Sequence, residues 1–336
     1  MNNSLSLHDR CAGALYGMFI GDALAMPAHW YYDTHALLRD YGVVKEYKTP
    51  KHPHPDSILW RSSYSPKNTN GDILHEQKKY WGKKGIHYHQ FLKAGENTLN
   101  VKLARQLLLC VQQDNGYSAD NWLEKFVTYL TDPVSHNDTY AEEYLRHFFT
   151  NYANGKEPQK CGRNDEKHIG GFSLMLPLLL YLSKNPEEAI EISLQHLALT
   201  HGGQKMQHWG ECIAISLLDI LHGSSLSGAI SSACTAAKVG LSLKELESLT
   251  QYKDEVVVGR HFSSACYVDY AVPATLFLAL KYCNSPADGI IANTMCGGDN
   301  AGRGCVLGAL LGAAHGMQAW PQVWIDELLH PPPQIC

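Results

Sequence analysis

The sequence predicts an all-α fold, a single large orthogonal domain of about a dozen helices. Three observations predict it. From Glu96 onward, apolar residues recur at helical spacing between short turns. Strand-type alternation is rare outside residues 27–95. Two stretches near opposite ends of the chain carry a glycine at every fourth position: Gly13, Gly17 and Gly21, then Gly304, Gly308, Gly312 and Gly316. Glycine is a poor helix former, so a stripe of it needs a reason. Close approach of a second helix is that reason, and each stripe is the natural mate of the other. The two helices are expected to pack together at the centre of the fold. Hydrophobic residues make up 45% of the 336, enough for a sizeable core.

Taken in order, residues 8–25 read as the first helix, stopped by Pro27. Residues 27–95 read as a long irregular insertion, interrupted by Pro50, Pro53, Pro55 and Pro66. Its aromatic residues, among them Trp30, Tyr31, Tyr32, Trp60, Trp81 and Tyr88, mark it as an ordered cover. His52/His54 and His87/His89 alternate and could pair on one face as metal ligands, although no carboxylate or Cys cluster completes a site. The helical patterns that follow cover Leu99–Cys110, Trp122–Leu130, Tyr140–Phe149, a stretch opened by Gly170–Gly171, Ala189–Thr200, Lys205–Leu221, Leu226–Val239, Leu243–Leu249, Tyr270–Tyr282, Pro286–Met295 and Gly304–Trp320. Thr200-His201-Gly202-Gly203 breaks one of them.

The net charge of -5 and the absence of a Lys/Arg block argue against a nucleic-acid partner. The glycine stripes lie in segments whose length and polar neighbours argue against a membrane span. Met1–Ser4 do not begin a signal peptide. The 10 cysteines lack a C-x-x-C or a regular framework, which reads as reduced thiols and a cytoplasmic location. Cys336, with no prenylation box, is expected to be exposed.

Chemistry concentrates in Cys296-Gly297-Gly298-Asp299-Asn300-Ala301-Gly302-Arg303-Gly304. A glycine-rich turn opening a helix can seat an anion on free N–H groups. The same residues also serve a plain helix start with an Asp N-cap. Cys296, placed before that helix, could be a stabilised thiolate with His201 as its base. A buried, inert Cys296 and a turn-capping His201 are the alternative.

The order of motifs resembles the ADP-ribosylglycohydrolase family. Gly13 to Leu24 match its first-helix pattern G-x-x-x-G-x-x-x-G-D-A-L. Gly95-Glu96-Asn97-Thr98 stand at its T-D-D-T, Gly170 to Pro177 resemble its G-N-G-x-x-M-R-x-x-P, and Thr200-His201-Gly202 match its T-H-G turn. Gly297-Gly298-Asp299-Asn300-Ala301-Gly302 stand at its G-G-D-T-D-T. The divergent branch holding the jellyfish lens J-crystallins and selenoprotein J is the most similar. The resemblance implies removal of ADP-ribose from an acceptor by carboxylates and two Mg²⁺ ions. It implies small-molecule or ADP-ribosylated substrates.

The departures fall on the ligands. The resemblance leaves Glu96, Asn97 and Asp299 as metal ligands, enough for one Mg²⁺ and hardly two, because Ala301 and Gly302 offer no side-chain oxygen. Glu96 or Asp299 would activate water. His29 falls near the position of a family glutamate beside the substrate. Gly297, Gly298, Asn300, Arg303 and His201 complete the expected substrate contacts, and Asp22 supports the site. Arg303 could pair with Asp299 in place of a metal or hold a phosphate. The functional expectation is an ADP-ribosylglycohydrolase-like hydrolase with a degenerate metal site. The alternative is a non-catalytic protein on the same fold, either crystallin-like or ADP-ribose-binding.

Overall fold

Helix α1 (Leu7–Ala25) runs through the middle of the protein, capped by the Ser6 hydroxyl on the N–H of Asp9. The computed structural model describes residues 5–335, so the expectations for Met1–Ser4 and Cys336 lie outside the described residues. Beside α1 lies α14 (Asn300–His315), and the two glycine stripes face each other. A Cβ on Gly17 would overlap the carbonyl oxygen of Gly308, and one on Gly312 would overlap that of Gly13. The backbones are therefore in direct contact along three turns, which no side chain would allow. Both ends of the contact are tied. Arg10 donates to the Ala313 carbonyl at 2.8 Å, and the Trp320 indole donates to the Gly13 carbonyl at 2.8 Å.

The remaining helices wrap this pair. They are α2 (Thr34–Tyr41), α3 (Leu99–Gln113), α4 (Ala119–Thr131), α5 (Glu143–Ala153), α6 (Phe172–Tyr181), α7 (Pro186–Ala198), α8 (Gln204–Leu221), α9 (Leu226–Ala236) and α10 (Leu243–Leu249). A single turn, α11 (Asp254–Val256), leads into a π-helical stretch, Val257–Phe262. Then come α12 (Val268–Lys281), α13 (Pro286–Met295) and, after α14, α15 (Gln322–Asp326). No strand occurs among the described residues. The fold is all-α and forms one large domain.

Two expectations change. Residues 27–95 are not wholly irregular, because α2 forms behind the Asp33 cap, whose carboxylate accepts from His35 and Ala36. The rest of this segment is built of short turns, yet it is packed. Trp30, Leu59, Ile73, Trp81 and Tyr88 share one hydrophobic cluster with the inner faces of α3, α4 and α5. The Trp81 indole fixes the segment by donating to the Thr139 carbonyl at 2.8 Å. The second change concerns length. The stretch Leu7–Ala28 is long and apolar enough to cross a membrane, and 89% of its most apolar window is buried inside the protein. Its apolar character is accounted for by its central place against α14.

Candidate active site

The loop that carries Asp299 is held closed by its own neighbours. Gly297 and Gly298 adopt left-handed φ angles of 62° and 60°, which only glycine takes without strain. Gly298 donates to the Tyr31 carbonyl at 2.6 Å and accepts from the Trp30 N–H at 2.8 Å. The Asp299 N–H goes to the Ser264 carbonyl at 2.8 Å, and the Gly302 N–H to Asp299 Oδ1 at 3.0 Å. The expected anion seat is therefore largely spent on internal bonds, and the N-cap alternative describes the turn. Asn300 is likewise structural, its amide donating to the Ala28 and Thr294 carbonyls.

Arg303 is fully buried and forms no ion pair with Asp299. Its guanidinium donates to Asn293 Oδ1 and to the carbonyls of Ser264 and Gly297. This ties α13, the turn before α12 and the glycine loop together. With its donors spent on these three acceptors, the expected phosphate contact gives way to an internal brace. His201 is also enclosed, lying beneath Gly171 and against the Tyr144 ring at 4.3 Å. Its Nδ1 meets the Thr200 hydroxyl at 2.8 Å, and burial pushes its pKa to about 3. Cys296 ends α13, and burial pushes its thiol up to about 12. No contact joins Cys296 to His201, so the thiolate–base arrangement is not formed.

The Gly95–Thr98 motif divides. Asp22 accepts from Asn97 Nδ2, the Thr98 N–H and the Thr98 hydroxyl at 2.9, 2.8 and 2.6 Å, which clamps the entry of α3 onto α1. Glu96 turns the other way. Its carboxylate accepts from the Lys93 N–H at 2.9 Å and pairs with Lys102 at 2.6 Å, lining a separate surface depression with Arg105 and His136. Glu96 thus does not share a site with Asp299, because a lysine six residues on has captured it.

What stands against Asp299 is a row of imidazoles. His29 Nε2 lies 3.1 Å from Asp299 Oδ1, and His29 Nδ1 lies 2.8 Å from His89 Nε2. His89 Nδ1 lies 2.8 Å from Asp138 Oδ1. The two rings stack nearly parallel, 6° apart. Asp138 is held in turn by the Leu99 and Tyr140 N–H groups. All four residues are buried. Burial alone would raise the two carboxyl pKa values. The histidines outweigh it and hold both carboxyls below their usual range.

The open space lies beside this row. A cleft of about 320 Å³ is walled by Trp30, Tyr32, Tyr88, Tyr140 and Tyr267, within the range of small-molecule sites. Glu142 lies in it, half-buried at the start of α5, with Asn100 donating to its Oε1 at 2.6 Å. Burial, then the nearby Asp299 carboxylate, push the Glu142 pKa up to about 8. His168 stacks on Tyr267 at 5.2 Å and pairs with Glu166. That pairing outweighs burial in both groups, raising the His168 pKa and holding Glu166 down at about 2. A second hollow of about 310 Å³ adjoins the cleft, and both are lined by Glu143 and Arg146. Arg146 stacks its guanidinium on Trp81 at 5.1 Å.

Glu142, Arg146, His168 and the His89–Asp138 pair were not singled out as such from the sequence. Glu142 reads as an ordinary acid at a helix start. The alternating His87/His89 pair was the one available signal, and it pointed to metal binding.

A search of family sequence models places the chain. The model of the ADP-ribosylglycohydrolase family matches residues 3–335, and the chain belongs to that family. Its members usually use divalent metals and act on ADP-ribosylated substrates. Among solved structures, one described as an ADP-ribosylglycohydrolase-related protein complex is similar with a TM-score of 0.62 and 19% identity, covering 96% of this chain and 93% of the other. That likeness is one of fold. No curated protein matches the chain.

The residues present do not fit a Mg²⁺ pair. Hard cations want several free oxygens. Asp299 Oδ1 is taken by His29 and Gly302, Glu96 is paired with Lys102, and the Asp22 carboxylate is used by Asn97 and Thr98. A buried guanidinium stands one turn along. Among the described residues, no group of three His, Cys, Asp or Glu side chains is arranged to hold a metal ion.

Proposed function

We propose that the protein is a glycosidase-type hydrolase of an ADP-ribosyl or related ribosyl N- or O-glycosidic bond, acting in the aromatic cleft that Glu142 lines, with the buried Asp299 carboxylate near enough to Glu142 to raise its pKa. The observation that carries this reading is the divergence of the two carboxyls. Neighbouring carboxyl groups whose surroundings push one pKa up and the other down are the usual signature of an acid and its charged partner. At neutral pH Glu142 keeps its proton and can donate it to the leaving group. Asp299 stays ionised and can stabilise the positive charge that develops on the ribose ring or orient a water. The tyrosine and tryptophan walls suit stacking against a base or a sugar face. Arg146, at the junction of the two hollows, suits a diphosphate lying across it. The expected single Mg²⁺ finds no matching donor set, and no step is routed through it.

The specific alternative is an ADP-ribose-binding protein without turnover, in the manner of a crystallin-like or other non-catalytic relative. The occupied Oδ1 of Asp299 favours it. Calorimetric titration with ADP-ribose, followed by a hydrolysis assay on ADP-ribosylated arginine, serine and small-molecule acceptors, separates the two. Binding with turnover that Glu142→Gln abolishes is the expected result. Binding without turnover establishes the alternative, and absence of both removes the cleft as a site.

A further inference from the structure

Four tryptophan indoles are tied into the protein. Trp81 donates to the Thr139 carbonyl, Trp209 to Asp269, Trp320 to the Gly13 carbonyl and Trp324 to the Lys45 carbonyl. Trp30 is different. It is only 6% exposed, yet its Nε1 has no hydrogen-bond partner. A buried donor left unmatched costs about 1–3 kcal/mol, and such a group in a folded protein asks for a cause. Trp30 lines the aromatic cleft together with Glu142.

The ring is also held in place against a backbone preference. Trp30 takes a left-handed φ of 68°, which a bulky residue adopts rarely and with strain. Its backbone N–H keeps it there by donating to the Gly298 carbonyl at 2.8 Å. The ring stacks on His29 at 4.7 Å and 21°. Tyr140 meets it edge-on at 6.0 Å, while Tyr88 and Tyr32 tilt against it at 6.0 and 6.1 Å. A phenylalanine would build the same apolar wall and leave no donor unmatched. Packing accounts for a ring at this position, and it does not account for the N–H.

We infer that Trp30 is a substrate-binding residue whose indole N–H donates to a hydroxyl of the ribose at the bond to be cleaved. The inference rests on the reading of the cleft as the ribosyl site. Trp30 directly follows His29, whose Nε2 lies 3.1 Å from Asp299 Oδ1. Asp299 is the carboxylate assigned to the charge that develops on that ribose, so the ribose is the part of the substrate nearest to Trp30, and its hydroxyls are the acceptors it offers. The indole nitrogen is shielded from water, and the ligand reaches it by shifting a neighbouring ring. Tyr32, 42% exposed against 4% for Tyr88, is the least enclosed of the rings packed on it. A dry, unpartnered N–H gives nearly the full strength of the bond it forms, because no earlier bond to protein or water has to break.

The test uses the full chain labelled with ¹⁵N-tryptophan, in which the indole N–H groups of the 7 tryptophans are observed directly. Trp30→Phe identifies the Trp30 signal by its loss. Addition of ADP-ribose is expected to move that signal downfield. ADP, which lacks the terminal ribose, is expected to bind without moving it. Calorimetry on Trp30→Phe is expected to show ADP-ribose affinity reduced about tenfold and ADP affinity little changed. A tryptophan that serves only as packing would keep its indole signal in place. ADP-ribose binding with the Trp30 indole unmoved overturns this inference and leaves the proposed function standing. Equal movement with ADP also overturns it, by placing the acceptor on the diphosphate. Absence of ADP-ribose binding to the wild type removes both readings together. Should Trp30→Phe fail to fold, sequential assignment of the wild-type signals gives the same comparison of ADP-ribose with ADP.

Discussion

Glu142 is the side chain on which the proposed chemistry most depends. Glu142→Gln keeps an oxygen to accept from Asn100 and removes the donatable proton. Turnover is expected to fall by roughly 10²–10⁴-fold with ADP-ribose affinity little changed, as read by steady-state rates beside calorimetry. The same residue gives a pH prediction. A carboxyl raised from 4.5 to about 8 contributes stability that is fully present below 4.5 and is lost progressively as pH rises toward 8. Melting temperatures between about pH 5 and 8 should fall less steeply in Glu142→Gln than in the parent. Glu166 has the opposite sign. Held at about 2 by its pairing with His168, it contributes stability above the ordinary carboxylate range that is lost as pH falls toward 2. Acid titration of Glu166→Gln should therefore show a shallower decline below about pH 5. Arg303→Met would leave the Gly297 and Ser264 carbonyls without their buried donor. A loss of several kcal/mol is expected by denaturant titration, at about 1–3 kcal/mol per unsatisfied group. A phosphate-binding Arg303 would instead leave stability intact and lose only affinity.

At the scale of elements, the contact between α1 and α14 is the most constrained feature. Adding one methyl at Gly308 places it inside the Gly17 carbonyl, and the atom in the way is backbone, which cannot rotate aside. Gly308→Ala is expected to destabilise by about 3 kcal/mol or more, the upper end of overpacking or beyond it. Gly116→Ala, where a Cβ would meet nothing within 4 Å, is the matched control and should change stability little. These stripes could be read directly from the chain because their cause is steric and repeats with the helical period. The entry of α3 shows the limit. Gly95-Glu96-Asn97-Thr98 matched a ligand motif in position, and Thr98 and Asn97 do meet Asp22. Glu96 went to Lys102 because the turn directs its carboxylate outward and a cation one helical turn and a half away was free to take it. Position in a motif does not specify the direction of a side chain.

At the scale of the whole molecule, the cleft is assembled from segments far apart in the chain. Trp30 and Tyr88 come from the long turn-rich segment, Glu142 and Arg146 from the start of α5, and His168 and Tyr267 from two loops joined by an isolated bridge. An extended ligand would cross both adjoining hollows at Arg146, so Arg146→Ala should weaken ADP-ribose binding by about tenfold or more in a calorimetric titration, equivalent to about 1.4 kcal/mol. The sequence by itself determined the helical class, the mating of the glycine stripes and the family, because periodicity, backbone sterics and motif order are local or ordered properties of the chain. Only the tertiary structure decided which carboxyls meet. His29 lies 60 residues from His89 and 270 from Asp299, and no spacing rule links them. Burial then set their charges: the same packing that set the His29 imidazole against Asp299 left Glu142 near a like charge, which is what separates the two groups chemically.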